Sequence, residues 1–268
     1  MRLIVDHQTR YVYDQAVRAV VQSHRLTPSA FDGQRTIRWK VTVSDGQLGG
    51  GFRDGAGDWV QGWTVLGPVS EIIVRVEGEV ETSDLAGVLR GHRETVAPEV
   101  YLQVTAPTEV DVGLIALTDG LDPQENPLAT AHELSRRVSE AIAYEPGQTS
   151  AKTTAAEALA IGKGVCQDHA HAIIALARHL GMPARYVSGY LQASEDGTPH
   201  EAAHAWAEVH VPGLGWVGFD ASNACCPDER YIRLGSGFDA QDAAPIRGTA
   251  RGSGQEVLSV SVSVQTQQ

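Results

Sequence analysis

The alternation of apolar and polar positions predicts strands in the first part of the chain. In the stretch SEIIVRVEGEVET every second residue is apolar over most of its length, and the stretch TIRWKVTVSDG repeats the pattern before an Asp-Gly turn, with its apolar positions at Ile37, Trp39, Val41 and Val43. A strand points successive side chains to opposite faces, so these segments have the pattern of half-buried strands. We therefore predict an N-terminal β-sandwich over residues 1–115.

A helical period replaces this alternation from about residue 120 onward. Apolar residues first recur every four positions, at Leu134, Val138 and Ile142, and a short Ala-rich helix then stops at Gly162. The next helix begins at Cys166 and ends before Gly181, and because it is apolar around most of its circumference we expect it to be buried. Predicted strands follow in ARYVSGYLQA, AHAWAEVHVP, GWVGFDAS and, near the C-terminus, EVLSVSVSVQ. The pattern predicts an α+β protein whose second domain, residues 116–268, includes the C-terminal strand.

Composition narrows the possible partners and locations. The 268 residues carry a formal net charge of −12. This charge argues against binding to nucleic acids or anionic membranes, because both attract basic surfaces. The apolar run after Met1 is too short for a signal-peptide core, and no stretch is long and apolar enough to cross a membrane. The three cysteines, without an export signal, do not suggest a disulfide framework. We expect a cytoplasmic protein that binds neither nucleic acid nor membrane, and the sequence leaves its oligomeric state open.

One motif suggests zinc. The residues from His200 to His204 read His-Glu-Ala-Ala-His, the spacing of a zinc-peptidase helix, and His210 follows where some of those enzymes have a third ligand. From Ala203 onward, however, the pattern alternates like a strand. On a strand the two histidines would lie roughly 13 Å apart, too far to share a tetrahedral ion. We expect neither a metal nor a cofactor.

Cys166 offers different chemistry. It lies in the first turn of the predicted buried helix, where unpaired N–H groups and the helix dipole favour a thiolate. The preceding Gly-Lys-Gly allows the backbone to approach a substrate closely. A single cysteine is nevertheless more often a buried apolar side chain, so position alone leaves both interpretations open.

The segment GKGVCQDHAHAIIALARHLGMPARYVSGYL, with the following HAWAEVHVPGLGWVGFDASN, resembles the core of the transglutaminase-like superfamily and in particular its bacterial cysteine-peptidase-like branch. The shared motifs occur in order: Gly-x-Cys opening a helix, Gly-Met-Pro-Ala-Arg-x-Val-x-Gly-Tyr, His-x-Trp-x-Glu, and Gly-Trp-x-x-x-Asp. The early segment VDHQTRYVYDQAVRAVVQSHRLTP is similar to the family's N-terminal β-domain. The resemblance implies a papain-like core in which a helix packs on an antiparallel sheet. Here Asp220 is followed by Ala221-Ser222, where the family usually has Pro-Thr.

Carried over from the family, Cys166 is the nucleophile, His204 the general base and acid, and Asp220 the group that orients the imidazole. The resemblance implies acyl transfer on the amide bonds of a peptide or protein, as a peptidase or amidase. The alternatives are glutamine cross-linking, in which an amine replaces water, and a non-catalytic binding module of the same fold. Trp206 lies on the His204 face of its strand and is either a wall of the substrate groove or an aromatic anchor in the core.

Overall fold

The computed structural model describes residues 1–192 and 203–266 and confirms the α+β class. Four helices and two short 3-10 segments lie between the early strands and the late ones. The helices are α1 (Val112–Ala116), α2 (Pro127–Ala141), α3 (Ala155–Ile161) and α4 (Cys166–His179), and the 3-10 segments are Pro98–Leu102 and Ala106–Thr108. The strands are β1 (Arg2–His24), β2 (Gln34–Val43), β3 (Gly46–Arg53), β4 (Trp59–Thr82), β5 (Ala143–Tyr144), β6 (Lys163–Gly164), β7 (Ala184–Leu191), β8 (Ala203–Val211), β9 (Gly215–Phe219), β10 (Tyr231–Gly237), β11 (Ile246–Arg251) and β12 (Glu256–Thr266).

The N-terminal strands form one curled antiparallel sheet rather than two separate layers. Strands β1 and β4 are 23 and 24 residues long, and their pairing is interrupted between Val12 and Ala19. The first half of β1 pairs with β12 and the end of β4, whereas its second half pairs with β11 and the start of β4. Apolar residues of both halves join one cluster. The N-terminal strands thus form a single sheet that bends at these irregularities, because its two longest strands run through both halves.

A second antiparallel sheet, in the order β10-β7-β8-β9, carries α4 on one face. Helix α4 packs its apolar side chains against alternate residues of β8, including Ala205, Ala207 and Val209. Eleven of its fourteen residues are buried, as the nearly continuous apolar pattern predicts. The helix ends before Gly181, whose positive φ of 76° suits the turn into β7.

The C-terminal strand corrects one detail of the predicted organisation. The pattern assigns it to the second domain, but β12 pairs with β1 over residues 3–13 and belongs to the curled sheet. That sheet is thus built from both ends of the chain, while the boundary between residues 115 and 116 stays a prediction. None of the helices within residues 1–192 and 203–266 has the length and apolar character needed to span a membrane.

Candidate active site

Cys166 is the first residue of α4, and its surroundings fix where that helix begins. The buried Asp168 carboxylate accepts hydrogen bonds from the Val165 N–H at 2.8 Å and from the Thr149 hydroxyl at 2.6 Å. A side chain at Gly164 would place its Cβ 2.7 Å from this carboxylate, so glycine is needed there. The Cys166 thiol is free and partly exposed. It therefore lies beside the first N–H groups of a helix, which have no intrahelical partner and stabilise negative charge.

His204 lies at the start of β8, opposite Gly189 of β7. Its Nε2 is 2.6 Å from Asp220 Oδ2, and the ring also lies close enough to Cys166 for that thiol to affect the pKa of the imidazole. Because Nε2 is engaged by the carboxylate, Nδ1 is the nitrogen left for the thiol. Burial lowers the pKa of His204, but the hydrogen bonds to Asp220 and Cys166 and the charges of both groups outweigh it and raise the pKa to about 10. The imidazole thus lies between the Cys166 thiol and the Asp220 carboxylate.

Asp220 follows β9 and is surrounded by donors. Its Oδ2 accepts from His204, from the Asn223 amide at 2.7 Å and from the Tyr231 hydroxyl at 2.8 Å. Its Oδ1 accepts from the hydroxyl and N–H of Ser222, at 2.6 and 3.0 Å, and from the Asn223 N–H at 3.2 Å. Burial raises the pKa of Asp220, but the hydrogen bond and charge of His204, with the bonds from Asn223 and Ser222, hold the pKa well below its usual range. The carboxylate is therefore ionised.

The turn after Asp220 orients this carboxylate without the proline that the family pattern has there. Ser222 and Asn223 bind Oδ1 from within the turn itself. The backbones of Asp220 and Cys225 also exchange two hydrogen bonds, at 2.8 and 3.1 Å, which close the turn. The polar residues directly after Asp220 are typical of turns in which an aspartate binds the backbone ahead of it, and this is the signal by which the sequence could have identified them.

Aromatic rings pack around the imidazole. The Trp206 ring is stacked on His204 at 6.4 Å and meets the edge of Tyr231 at 5.5 Å. Trp206 is only 3% exposed, so it has little surface to offer a substrate, and this burial favours the core-anchor interpretation. Sequence reasoning assigned no role to Asn223, although it lies in the turn directly after Asp220, and missed Tyr231, which follows Asp220 by 11 residues and meets it only through folding.

The zinc interpretation receives no support from the geometry. His204 lies on a strand, as the alternation predicts, and its Nε2 is engaged by Asp220. His210 packs at the other end of that strand, with its ring 5.3 Å from Trp216. Within the described ranges 1–192 and 203–266, no group of three or more His, Cys, Asp or Glu side chains is arranged to hold a metal ion. The predicted distance between His200 and His204 is untested, since His200 lies outside those ranges.

Two family models match the chain. The model of the transglutaminase-like superfamily matches residues 115–221, and that of the bacterial transglutaminase-like N-terminal region matches residues 3–81. The first match contains Cys166, His204 and Asp220. The second covers much of β1 to β4 of the curled sheet.

Similar proteins and structures extend these matches over the whole chain. The "Uncharacterized protein ML0607" of Mycobacterium leprae is 30% identical over 275 residues, covering 98% of each chain. The "Uncharacterized protein Rv2569c" of Mycobacterium tuberculosis is 29% identical over 291 residues, covering 98% of this chain and 92% of the relative. The crystal structure of "a Putative Cysteine Protease from Cytophaga hutchinsonii" aligns with a TM-score of 0.66 at 19% identity, covering 100% of this chain and 92% of that one. At that identity the alignment establishes a shared fold.

Proposed function

The chain belongs to the transglutaminase-like superfamily, and from that premise we propose that it is a cysteine-dependent enzyme that cleaves amide bonds of peptides or proteins. The family and the name of the Cytophaga hutchinsonii neighbour support a cysteine-dependent enzyme in general. The residues we assign to the reaction are Cys166 as nucleophile, His204 as base and acid, and Asp220 as the group that orients the imidazole.

A single observation carries the proposal: at the start of α4 the Cys166 thiol lies beside the imidazole of His204, which is hydrogen-bonded to the buried Asp220 carboxylate. A thiol alone is a weak nucleophile at neutral pH. A neighbouring imidazole that takes its proton, and a carboxylate that stabilises the resulting imidazolium, together produce a thiolate. A partly exposed thiol at a helix start, beside a largely buried imidazole and carboxylate, is the arrangement that such a nucleophile needs.

The reaction follows from these positions. The Cys166 thiolate attacks the amide carbonyl carbon, and the π electrons of the carbonyl move onto its oxygen, where the N–H groups of the helix start stabilise the charge. When the C–N bond breaks, His204 gives its proton to the leaving amine, and a thioester to Cys166 remains. Water then attacks the thioester and gives a proton to His204, which releases the carboxylic acid and restores the thiolate–imidazolium pair.

The same thioester can react with an amine instead of water, which is the transamidation alternative. Both reactions use the same three side chains, and only the acceptor differs. We propose hydrolysis because water is present at high concentration and needs no acceptor-binding site. Peptide or protein amides are the proposed substrates.

Incubating the full chain with a mixed peptide library, with and without a primary amine, tests the proposal by mass spectrometry. Peptide cleavage produces new termini, side-chain deamidation a mass gain at Gln or Asn, and transamidation an amine adduct at Gln. We expect new termini or deamidated side chains, formed by the wild-type chain and abolished in Cys166→Ala.

Cys226→Ala is the matched control, because it removes a thiol that is not among the three residues assigned to the reaction, and it should retain activity. Dominant amine adducts would replace the hydrolase assignment with a transferase while leaving the three residues in their roles. A wild-type chain as inactive as Cys166→Ala on every peptide would support the binding module.

A further inference from the structure

We propose that Tyr231 of β10 is a positioning residue of this site, whose hydroxyl, together with Asn223 and Ser222, disperses the Asp220 charge that faces His204. The inference rests on the proposed function, because it concerns how the same imidazole holds and releases its proton. It identifies a group that none of the sequence motifs contains.

The contacts of Tyr231 place its hydroxyl on the oxygen that His204 uses. Tyr231 is buried, and its hydroxyl lies 2.8 Å from Asp220 Oδ2, the atom that also accepts from His204 at 2.6 Å. Its ring meets Trp206 at 85° and lies 5.9 Å from the imidazole ring. The phenol is thus held on two sides, and its hydroxyl shares one carboxylate oxygen with the imidazole.

The direction of each hydrogen bond follows from the ionised state of Asp220. A carboxylate only accepts, so Tyr231 must donate its single hydroxyl proton to Oδ2, and His204 must donate from Nε2. The Cys225 sulfur lies 3.3 Å from the same hydroxyl. Since the hydroxyl proton is already used, the Cys225 thiol must be the donor in that contact. A directed chain therefore runs from Cys225 through Tyr231 to Asp220.

This sharing matters for an acid catalyst. An imidazolium that faces a buried carboxylate with no other donor is stabilised strongly and gives up its proton reluctantly. Each further donor to the carboxylate disperses its charge and weakens its hold on the imidazolium. The titratable groups around His204 are Cys166 from α4, Asp220 after β9 and Tyr231 from β10. Of these, Tyr231 is the neutral donor that disperses charge without taking the proton from the imidazole.

Replacing Tyr231 by Phe keeps the ring and removes only the hydroxyl. The measurement is the rate at which Cys166 reacts with iodoacetate and with iodoacetamide between pH 4 and 11, followed by mass spectrometry of the Cys166 peptide. The imidazolium attracts the anionic reagent but not the neutral one, so the ratio of the two rates falls where His204 loses its proton. In Tyr231→Phe we expect this fall to move to higher pH by about half a unit to one unit.

Tyr190→Phe is the matched control. Tyr190 is a buried tyrosine on the neighbouring strand β7. Its hydroxyl forms a hydrogen bond with His7 Nδ1 at 2.7 Å and not with Asp220. Tyr190→Phe should lower the urea midpoint of unfolding about as much as Tyr231→Phe does. It should leave unchanged the pH at which the ratio of the two alkylation rates falls.

Three results overturn the inference: no shift in Tyr231→Phe, a shift to lower pH, or an equal shift in Tyr190→Phe. A wild-type Cys166 that shows no reactive thiolate below pH 7 would instead count against the proposed function itself. The two failures are therefore distinguishable, and neither depends on knowing the substrate.

Discussion

At the scale of single residues, the three cysteines differ in what surrounds each sulfur. Cys166 lies beside His204 at a helix start. Burial raises the pKa of Cys225, whose sulfur contacts the Tyr231 hydroxyl, and raises the pKa of Cys226 to about 11. Because the thiolate is the reacting form, these surroundings should separate the three sulfurs by reactivity.

The first prediction is that iodoacetamide alkylates Cys166 first at pH 7. With a pKa near 11, only about one Cys226 thiol in ten thousand is ionised at that pH, so we expect Cys166 to react at least about tenfold faster. The measurement is the alkylation rate of each cysteine peptide by mass spectrometry. His204→Ala should slow the labelling of Cys166, whereas His210→Ala, on the same strand beside Trp216, should not. Faster labelling of Cys225 or Cys226 in the folded chain contradicts the assignment.

At the scale of elements, buried ion pairs tie the strands of the second sheet together on the face away from α4. Arg185 of β7 and Arg233 of β10 both bind Glu208 of β8, at 2.7 and 2.8 Å, and Arg233 also binds Asp58 at 2.7 Å. All four side chains are almost fully buried. Burial opposes ionisation of Glu208, but the charges and hydrogen bonds of Arg233 and Arg185 lower its pKa to about 2. The network therefore fixes the strands that carry His204 and Tyr231.

The second prediction is that Glu208→Gln destabilises the chain by about 3–5 kcal/mol, because two buried guanidinium groups lose their shared counter-charge. The free energy of unfolding from urea denaturation measures the loss. Glu133→Gln is the control, since Glu133 pairs with Arg136 and Arg137 near the surface of α2, and such pairs contribute about 0–1 kcal/mol. Equal losses in the two variants would show that the buried network adds little to stability.

At the scale of the whole molecule, the curled sheet packs against the second sheet. Tyr190, Ile232 and Leu234 of β7 and β10 belong to the same apolar cluster as the residues of β1 and β4. Within this contact Nδ1 of His7 on β1 forms a hydrogen bond of 2.7 Å with the Tyr190 hydroxyl. Burial lowers the pKa of His7 to about 4, against a small opposing effect of the Asp6 charge, and burial also lowers the pKa of His24 to about 4. Both imidazoles are therefore neutral in the folded chain at pH 7.

The third prediction concerns acid. The unfolded chain binds protons at His7 and His24 near pH 6.5, whereas the folded chain does so only near pH 4. The contribution of these two histidines to the free energy of unfolding is thus fully present above about pH 6.5. It is lost as the pH falls from there to 4, at up to about 1.4 kcal/mol per pH unit for each histidine. His204 has the opposite sign: the folded chain holds a proton that the unfolded chain loses near pH 6.5, so its contribution is complete below that pH and is lost as the pH rises from there through about 10.

Urea denaturation at pH 7, 6 and 5 gives this slope for the wild-type chain. His24→Gln should reduce the slope by roughly the contribution of one histidine, about 1.4 kcal/mol per pH unit. Ser23→Ala, next to His24 on β1, is the control, because it removes no titratable group and should keep the wild-type slope. An unchanged slope in His24→Gln contradicts the prediction.

The sequence by itself determined the features that depend on near neighbours in the chain. The alternation in Thr36–Gly46 and Ala203–Val211 predicts strands, and the apolar stripe after Cys166 predicts a buried helix, because the side chains of strands and helices repeat at fixed short periods. The motifs that contain Cys166, His204 and Asp220 carry the family resemblance for the same reason, since each is a short stretch of fixed spacing. The structure then brings those three side chains together.

Only the tertiary structure decided the features that join distant parts of the chain. β12 pairs with β1 from the opposite end of the sequence, and this pairing, together with the long, bent strands, makes one curled sheet, which alternation alone does not specify. Trp206 is buried because Tyr231 covers it, and Tyr231 reaches Asp220 because the second sheet sets β10 beside β7. Alternation indicates that a side chain faces one side of a sheet, but not which residues from elsewhere in the chain lie against it. That depends on how the strands are ordered in space, which local periodicity does not encode.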